Sequence, residues 1–412
     1  MRRIVITGMG AVTPIGNTVN ETFTALQQGH CGIAPITHFD TDGRKVKVAG
    51  ETKNLDLEDY FPKKEIRRMD RFVAFALIAA NEAMKDAGLA GNDNWNKERC
   101  GTIVSTGVGG LGSIETEHTK GETKGFDRVS PYFVPGGISN IAAARIAIEY
   151  GLTGMCNCVV TACAGGTNAV GDSFRMIRDG YADVMVCGGS ESCITEFGIG
   201  GFTALKALSE TEDPMRASIP FDRERNGFVM GEGAGILVLE ELSHAKARGA
   251  DIYGEIAGYG ANCDAYHVTA PSPDGSGAAR CMELAMADAG VTPEQIAYIN
   301  AHGTSTPLND RSETMAVKKA FGEHAHRLMM SSTKSMTGHL LGASGAIEAI
   351  ITAIAVKEGY IPPTINHQIP DENCDLDIVP NEGRNADITY AMSNSLGFGG
   401  HNASLVIKKF SC

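Results

Sequence analysis

No stretch of the chain approaches the ~20 apolar residues of a membrane-spanning helix. The longest candidate, Ala346 to Val356, is interrupted by Glu348. Basic residues are also short: 36 Lys and Arg against 49 Asp and Glu give a formal charge of −13, which argues against a nucleic-acid binder. The phosphate-loop signature ending in Gly-Lys-Ser or Gly-Lys-Thr is absent, which removes that class of nucleotide site. Gly8-Met9-Gly10, with Gly16 beyond, follows a strand-like run. Its third glycine is misplaced for a dinucleotide fingerprint, and Pro14 stands where a helix should continue. The cluster reads as a tight turn. Cys156 and Cys158 have no second cysteine or histidine pair to complete a metal site. Most of the eleven cysteines sit in apolar context, as small buried hydrophobes do. No metal and no cofactor is expected. The apolar part of the opening run, Met1 to Gly8, is too short for a secretory signal, so the expectation is a cytoplasmic protein with reduced thiols. Neither an interdomain linker nor a low-complexity tract is visible.

Glycine, in contrast, is abundant: 50 of 412 residues, gathered in short runs such as 107–110, 165–166 and 397–400. Such runs let backbone approach backbone or ligand closely. Between them, short apolar runs alternate with helical patterns. Strands are expected at 3–7, 101–105, 158–161, 182–188, 234–239, 297–300, 328–332 and 403–407. Helices are expected at 63–89, 138–150, 163–179, 242–248, 278–289, 311–321 and 345–357. The alternation indicates an α/β protein with a mainly parallel core sheet. There is also an echo. Val159 to Cys163 leads into a small-residue helix, and so does Met330 to Lys334 about 170 residues later. Either the chain contains two related halves, or it repeats a unit common to all α/β proteins.

Cys163 stands where an apolar strand stops and a small-residue helix begins, a turn that projects its residue out of a sheet. A helix N-terminus favours thiolate, and Ala162, Ala164, Gly165 and Gly166 leave room for a substrate. A nucleophile and a merely packed cysteine both fit. His302 and His339 each follow a predicted strand in loops rich in Gly, Ser and Thr, where open α/β sheets place ligands. Lys334 precedes His339 by five residues. The Ser393–Asn402 loop, with Gly397, Phe398, Gly399 and Gly400, offers free backbone N–H groups for an oxyanion and an aromatic gate. It also reads as a plain hairpin with a core phenylalanine.

Four long motifs in order, Thr161-Ala162-Cys163, Phe228 to Gly235, Ala301 to Thr306 and Thr333 to His339, resemble the β-ketoacyl-acyl-carrier-protein synthases, over essentially the whole chain. The resemblance implies the thiolase-like five-layered αβαβα fold. Its two related halves would be residues 1–250, carrying the cysteine, and 251–412, carrying both histidines. It implies a homodimer. It also implies an acyltransferase that condenses an acyl group on Cys163 with malonyl-ACP, releasing CO₂ and giving 3-oxoacyl-ACP. The N–H groups of Cys163 and Phe398 would hold the oxyanion, and His302 and His339 the enolate. Lys334, paired with Glu313, would tune the histidines. Thr304 and Thr306 would bind the pantetheine arm. Phe398 with Gly399 would gate the acyl pocket, and Val108 would line it, from the same chain or the dimer partner. Two histidines point to a decarboxylating elongation enzyme. Chain-starting relatives pair cysteine and histidine with asparagine, and biosynthetic thiolases use a second cysteine.

The chain departs from common family versions at Ala164-Gly165-Gly166, where extra glycine would loosen the helix start by about 0.5–1 kcal/mol per residue, and at His401, a threonine in some relatives. Acyl-carrier protein is acidic, so an acidic enzyme needs a local basic patch. Lys64, Arg67, Arg68 and Arg71 fall on one face of the predicted 63–89 helix, with Lys63, Lys124, Arg128 and Lys206 as further candidates. On charge alone this is a solvated helix face; the resemblance makes it a docking site. A type II polyketide ketosynthase would share the site with a different pocket. A non-catalytic partner subunit would lack Cys163, and a Cys-His hydrolase would leave Lys334 and His339 unused.

Overall fold

The computed structural model describes residues 2–92 and 95–411. Ten of the cysteines are free thiols; the eleventh, Cys412, lies outside the described residues. Among the described residues no helix is long and apolar enough to cross a membrane.

The first strand, Ile4–Val12 (β1), shows why the local patterns look as they do. All nine residues are buried, so apolar and polar positions do not alternate. Gly8 and Gly10 lie within it, not in a tight turn as their spacing suggested. A Cβ on either would sit 2.2 Å from Ala83 O or 1.9 Å from Ala79 O of the helix packed on the strand. The glycines exist to let that helix, Arg71–Asp86 (α1), lie directly on the sheet.

Nine more strands complete the sheet: Cys100–Ser105 (β2), Cys156–Asn157 (β3), Val184–Glu191 (β4), Gly233–Glu241 (β5), Gly254–Cys263 (β6), Ile296–Asn300 (β7), Met329–Ser331 (β8), Tyr390–Gly397 (β9) and His401–Lys408 (β10). Their order is β8-β7-β9-β10-β6-β1-β5-β4-β2-β3. The neighbours β3/β2, β2/β4, β8/β7 and β7/β9 are parallel, and the other five pairs are antiparallel. The sheet is therefore mixed, not mainly parallel. Helical crossovers link the parallel members, whereas β9 and β10 form a hairpin.

The order repeats. Each strand βn of the first five occupies the place of βn+5, with the same sense of pairing. The glycines repeat too. A Cβ on Gly258 or Gly260 of β6 would meet Ala285 O at 2.4 Å or Cys281 O at 2.2 Å of Ser276–Ala289. Those glycines also explain why β6 does not read as a strand. The echo in the sequence is thus a duplication, and the chain consists of two related halves.

Helices α1 and Ile141–Tyr150 (α2) cover one outer face. Gly165–Arg178 (α3) and Ser344–Glu358 (α6) fill the middle between the half-sheets. Ser276–Ala289 (α4) and Pro307–Phe321 (α5) cover the other face. The result is five layers, α-β-α-β-α. As expected of a central helix, α6 is buried on all sides.

The expected 63–89 helix is two helices, Lys63–Ile66 and α1. Asp70 separates them: its backbone is extended and its carboxylate accepts the Phe72 N–H, capping α1. Lys64, Arg67, Arg68 and Arg71 therefore share no helical face.

Candidate active site

The expected 158–161 strand is not formed. β3 ends at Asn157, and irregular chain leads to a single 3₁₀ turn, Ala162–Ala164, at the head of α3. Ala162 is held at φ +50°, a region that costs a side-chain-bearing residue about 1–3 kcal/mol. The turn is braced from below, where the Thr161 hydroxyl bonds Asn168 (2.6 Å) and Asn168 bonds the Tyr259 hydroxyl (2.6 Å). Cys163 is 8% exposed. The backbone N–H groups of Phe398 and of Cys163 itself point at its sulfur.

Two expectations about this turn are overturned. Burial pushes the Cys163 thiol up to about 12, and Glu191 adds to the rise; Lys334 and the two N–H groups oppose it. Desolvation thus outweighs the helix terminus, and the resting thiol is neutral. Nor do Gly165 and Gly166 loosen the helix or leave substrate space. A Cβ on Gly165 would fall 2.0 Å from Ser105 Oγ, and one on Gly166 2.6 Å from Ala346 N. The protein itself fills that room.

His302 follows β7 directly. Its N–H donates to Glu313 Oε1 and the Gly303 N–H to Oε2, both at 2.8 Å. Its carbonyl accepts from Lys334 Nζ at 2.6 Å. Lys334 does not pair with Glu313. Its ion pair is with Glu348, both side chains almost wholly buried. Glu313 is committed to backbone amides, and burial raises its carboxyl to about 7. Glu348, the charge that interrupts the apolar run 346–356 of α6, is thus the buried counter-ion of Lys334. His339 is fixed through its backbone to Val229 O (2.7 Å) and Gly231 N (2.9 Å). Its Nδ1 lies 2.8 Å from Ser344 Oγ.

The two imidazole rings stand 5.3 Å apart at 84°. The Cys163 sulfur and one nitrogen of each ring all lie within 4.8 Å of one another. Burial first, then Lys334, holds both histidines well below their ordinary pKa, with His339 adding to the effect on His302. Both are neutral, so each carries one N–H and one lone pair. A Ser344 hydroxyl donating to Nδ1 leaves the His339 proton on Nε2.

These groups line a cavity of about 260 Å³ that also holds Phe398, Phe202, Phe228, Thr304, Thr306 and Lys206. The Thr304 and Thr306 hydroxyls are 2.9 Å apart. Phe398 sits on the β9–β10 hairpin turn, with Gly399 and Gly400 at φ +89° and +76°. Its ring faces Phe202 at 6.4 Å, and Phe202 faces Phe228 at 5.6 Å. Gly397 lets the hairpin turn approach the Cys163 turn closely. A Cβ there would lie 2.8 Å from Thr161 O and 3.2 Å from Cys163 N. Sequence reasoning gave no separate role to Gly397, Ser344 or Glu348; only the charge of Glu348 in an apolar run offered a signal.

Val108 lies outside this cavity and is 39% exposed. Lys64, Arg67, Arg128 and Lys206 are exposed. Arg68 stacks on Tyr132 at 4.7 Å, and with Arg67 it borders a separate groove. Arg71 turns inward to Thr52 (2.9 Å) and Glu232 (3.2 Å) and is withdrawn from the patch. Lys206 is the one basic candidate at the cavity mouth.

Two family models match in succession: the N-terminal domain of β-ketoacyl synthases over residues 1–245 and their C-terminal domain over 253–368. The chain is 54% identical over 409 residues to a Staphylococcus aureus protein named 3-oxoacyl-(acyl-carrier-protein) synthase 2, covering 99% of both. A Synechocystis protein of the same name is 51% identical over 410 residues, covering 99% of this chain and 98% of the relative. Among solved structures, a β-ketoacyl synthase from Burkholderia phymatum superposes with a TM-score of 0.93 at 36% identity. A type II polyketide ketosynthase in complex with its acyl-carrier protein does so at 0.92 and 37%. Both cover 100% of each chain. On this evidence the chain belongs to the β-ketoacyl synthase family.

Proposed function

We propose that this protein catalyses the decarboxylative Claisen condensation of an acyl-enzyme with malonyl-ACP, giving 3-oxoacyl-ACP, CO₂ and free ACP in fatty-acid elongation. The observation that carries the reading is one buried thiol facing two neutral histidines, with two backbone N–H groups aimed at the sulfur.

Acyl-ACP delivers its thioester to Cys163. The thiol proton leaves to a neutral imidazole as the sulfur attacks, and the N–H groups of Cys163 and Phe398 hold the oxyanion. The tetrahedral intermediate collapses to acyl-Cys163 and releases the carrier thiol. Malonyl-ACP then enters, with its pantetheine arm along Thr304 and Thr306. Loss of CO₂ leaves an electron pair that becomes an enolate on the thioester oxygen. The imidazole N–H groups of His302 and His339 stabilise that oxygen in a site that excludes water. The carbanion attacks acyl-Cys163, the Cys163 thiolate leaves, and it takes up one proton from solvent as the product departs, the proton that loss of CO₂ from the malonyl carboxylate consumes overall. Lys334 and Glu348 serve as a positioning pair. Lys334 holds the His302 carbonyl, and its charge keeps both rings neutral.

The carriers dock on Lys64, Arg67, Arg128 and Lys206, which are exposed, and on Arg68, half-buried against Tyr132, on a chain whose net charge is negative. Two copies pair through exposed Val108, Ile114, Val134, Ile138, Met155 and Val160 and the free edge of β3, which has a strand on one side only. In that dimer Val108 lines the acyl pocket. Residues 1–250 and 251–412 are the two halves, and the enzyme works in the cytoplasm. The test is a mass measurement on the carriers after incubation with acyl-ACP and malonyl-ACP. A 3-oxoacyl-ACP two carbons longer, with stoichiometric CO₂, is expected. Hydrolysis of acyl-ACP with no longer product would overturn the reading.

A further inference from the structure

Ser344 is the first residue of α6 and is 3% exposed. Among the described residues its hydroxyl makes one hydrogen bond, to His339 Nδ1 at 2.8 Å. A buried hydroxyl proton needs an acceptor. A proton on Nδ1 would use the serine oxygen as its acceptor and leave the serine proton with none. With the ring proton on Nε2, the hydroxyl donates to the Nδ1 lone pair and both groups are satisfied. Nε2–H is then the ring N–H that remains for substrate.

The bond comes from a rigid element. Ser344 and Glu348 are four residues apart and share one face of α6. Glu348 grips Lys334, whose Nζ donates to the His302 carbonyl, and Ser344 meets the His339 ring. One helix face thus reaches both histidines, the first through a lysine and the backbone, the second at the imidazole itself. Gly345 seats that face. A Cβ there would lie 2.6 Å from Thr167 N of α3, the helix that begins beside Cys163. The His302 ring has no such clamp: its Nδ1 is buried with no hydrogen-bond partner among the described residues.

We propose that Ser344 is a positioning residue for the malonyl half-reaction: its hydroxyl pins the His339 ring in the tautomer and orientation that present Nε2–H to the enolate oxygen. The inference rests on the reading of His339 as an enolate donor. It assigns Ser344 no contact with substrate. Its effect passes through the His339 ring, so it is felt where negative charge develops on the malonyl thioester oxygen.

The test follows CO₂ release from malonyl-ACP by the full-length enzyme without an acyl primer. Ser344→Ala removes the hydroxyl and should lower kcat about fivefold with KM for malonyl-ACP unchanged, the signature of an interaction strengthened only in the transition state. Ser344→Thr keeps the hydroxyl and should bring kcat back to within about twofold of the wild type. Nitrogen NMR of enzyme labelled in its histidines, with His339→Asn identifying the ring, should place the wild-type proton on Nε2 and show a hydrogen-bonded Nδ1 that Ser344→Ala releases. An alanine variant as fast as the wild type, or a threonine variant as slow as the alanine one, overturns the role of the hydroxyl. A wild-type proton on Nδ1 overturns the tautomer. If the wild-type enzyme releases no CO₂, the proposed function has failed, and the spectra still decide whether Ser344 sets the His339 tautomer.

Discussion

Replacing Gly397 by alanine tests the oxyanion geometry most sharply. The new Cβ would lie 2.8 Å from Thr161 O, 3.1 Å from Ala164 N and 3.2 Å from Cys163 N. All three are backbone atoms, so no side chain can rotate away. Ordinary carbon contacts begin near ~3.4 Å, so the hairpin turn must retreat by about half an ångström from the Cys163 turn. The Phe398 N–H retreats with it. Complete loss of one oxyanion donor costs about 10²–10³ in rate, and a partial retreat should cost roughly ten- to a hundredfold. The loss should fall on acylation, because that is where negative charge first develops beside these two N–H groups. Stopped-flow release of free ACP from acyl-ACP measures the step directly. Gly397 does not occupy the left-handed region, so the backbone itself accepts alanine, and overpacking should cost about 1–3 kcal/mol of stability. A folded Gly397→Ala enzyme that acylates at the wild-type rate would refute the role given to the Phe398 amide.

Four further outcomes follow from the electrostatics. With burial holding the thiol near about 12, alkylation of Cys163 should keep climbing about tenfold per pH unit beyond pH 9; a plateau near the ordinary ~8.5 would contradict this. Both histidines titrate well below 6.5 and stay neutral as pH falls through that value, so malonyl-ACP decarboxylation should show no inflection there. Lys334→Ala leaves Glu348 buried without its partner, which should cost about 3–5 kcal/mol in urea unfolding; it also removes a charge that depresses both histidines, so the acid limb of the decarboxylation profile should move to higher pH. Charge reversal at Arg67 and Arg68 should raise KM for acyl-ACP far more than for acyl-CoA, and equal effects on both would count against docking there.

What the sequence disclosed depended on how local each cause was. Cys163, His302, His339 and Lys334 were legible because each sits in a loop just after a β-strand or in a distinctive motif. The partner of Lys334 was not. Glu348 lies on α6 and meets Lys334 only once the middle layer is assembled, and in the sequence it reads merely as a break in an apolar run. Glycines misled for the same reason. Gly8 and Gly10 look like turn residues but mark a strand on which a helix backbone rests, as Gly258 and Gly260 do in β6, for which the sequence pattern offered no strand. Gly165 and Gly166 look like substrate space, yet Ser105 and α6 occupy it. The single helix drawn over 63–89 followed the apolar spacing and overlooked Asp70, whose capping role needs only a local hydrogen bond. The thiolate expectation weighed the helix terminus, a local feature, against a burial that only the tertiary structure supplies.

The central claim is that Cys163 carries the acyl chain between two half-reactions. Intact-protein mass after mixing the enzyme with acyl-ACP, and again after adding malonyl-ACP, tests it most directly. The account predicts one acyl increment, mapped by peptide analysis to Cys163, that disappears as 3-oxoacyl-ACP and CO₂ form. An increment on another residue, or one on Cys163 that malonyl-ACP cannot discharge, would contradict it.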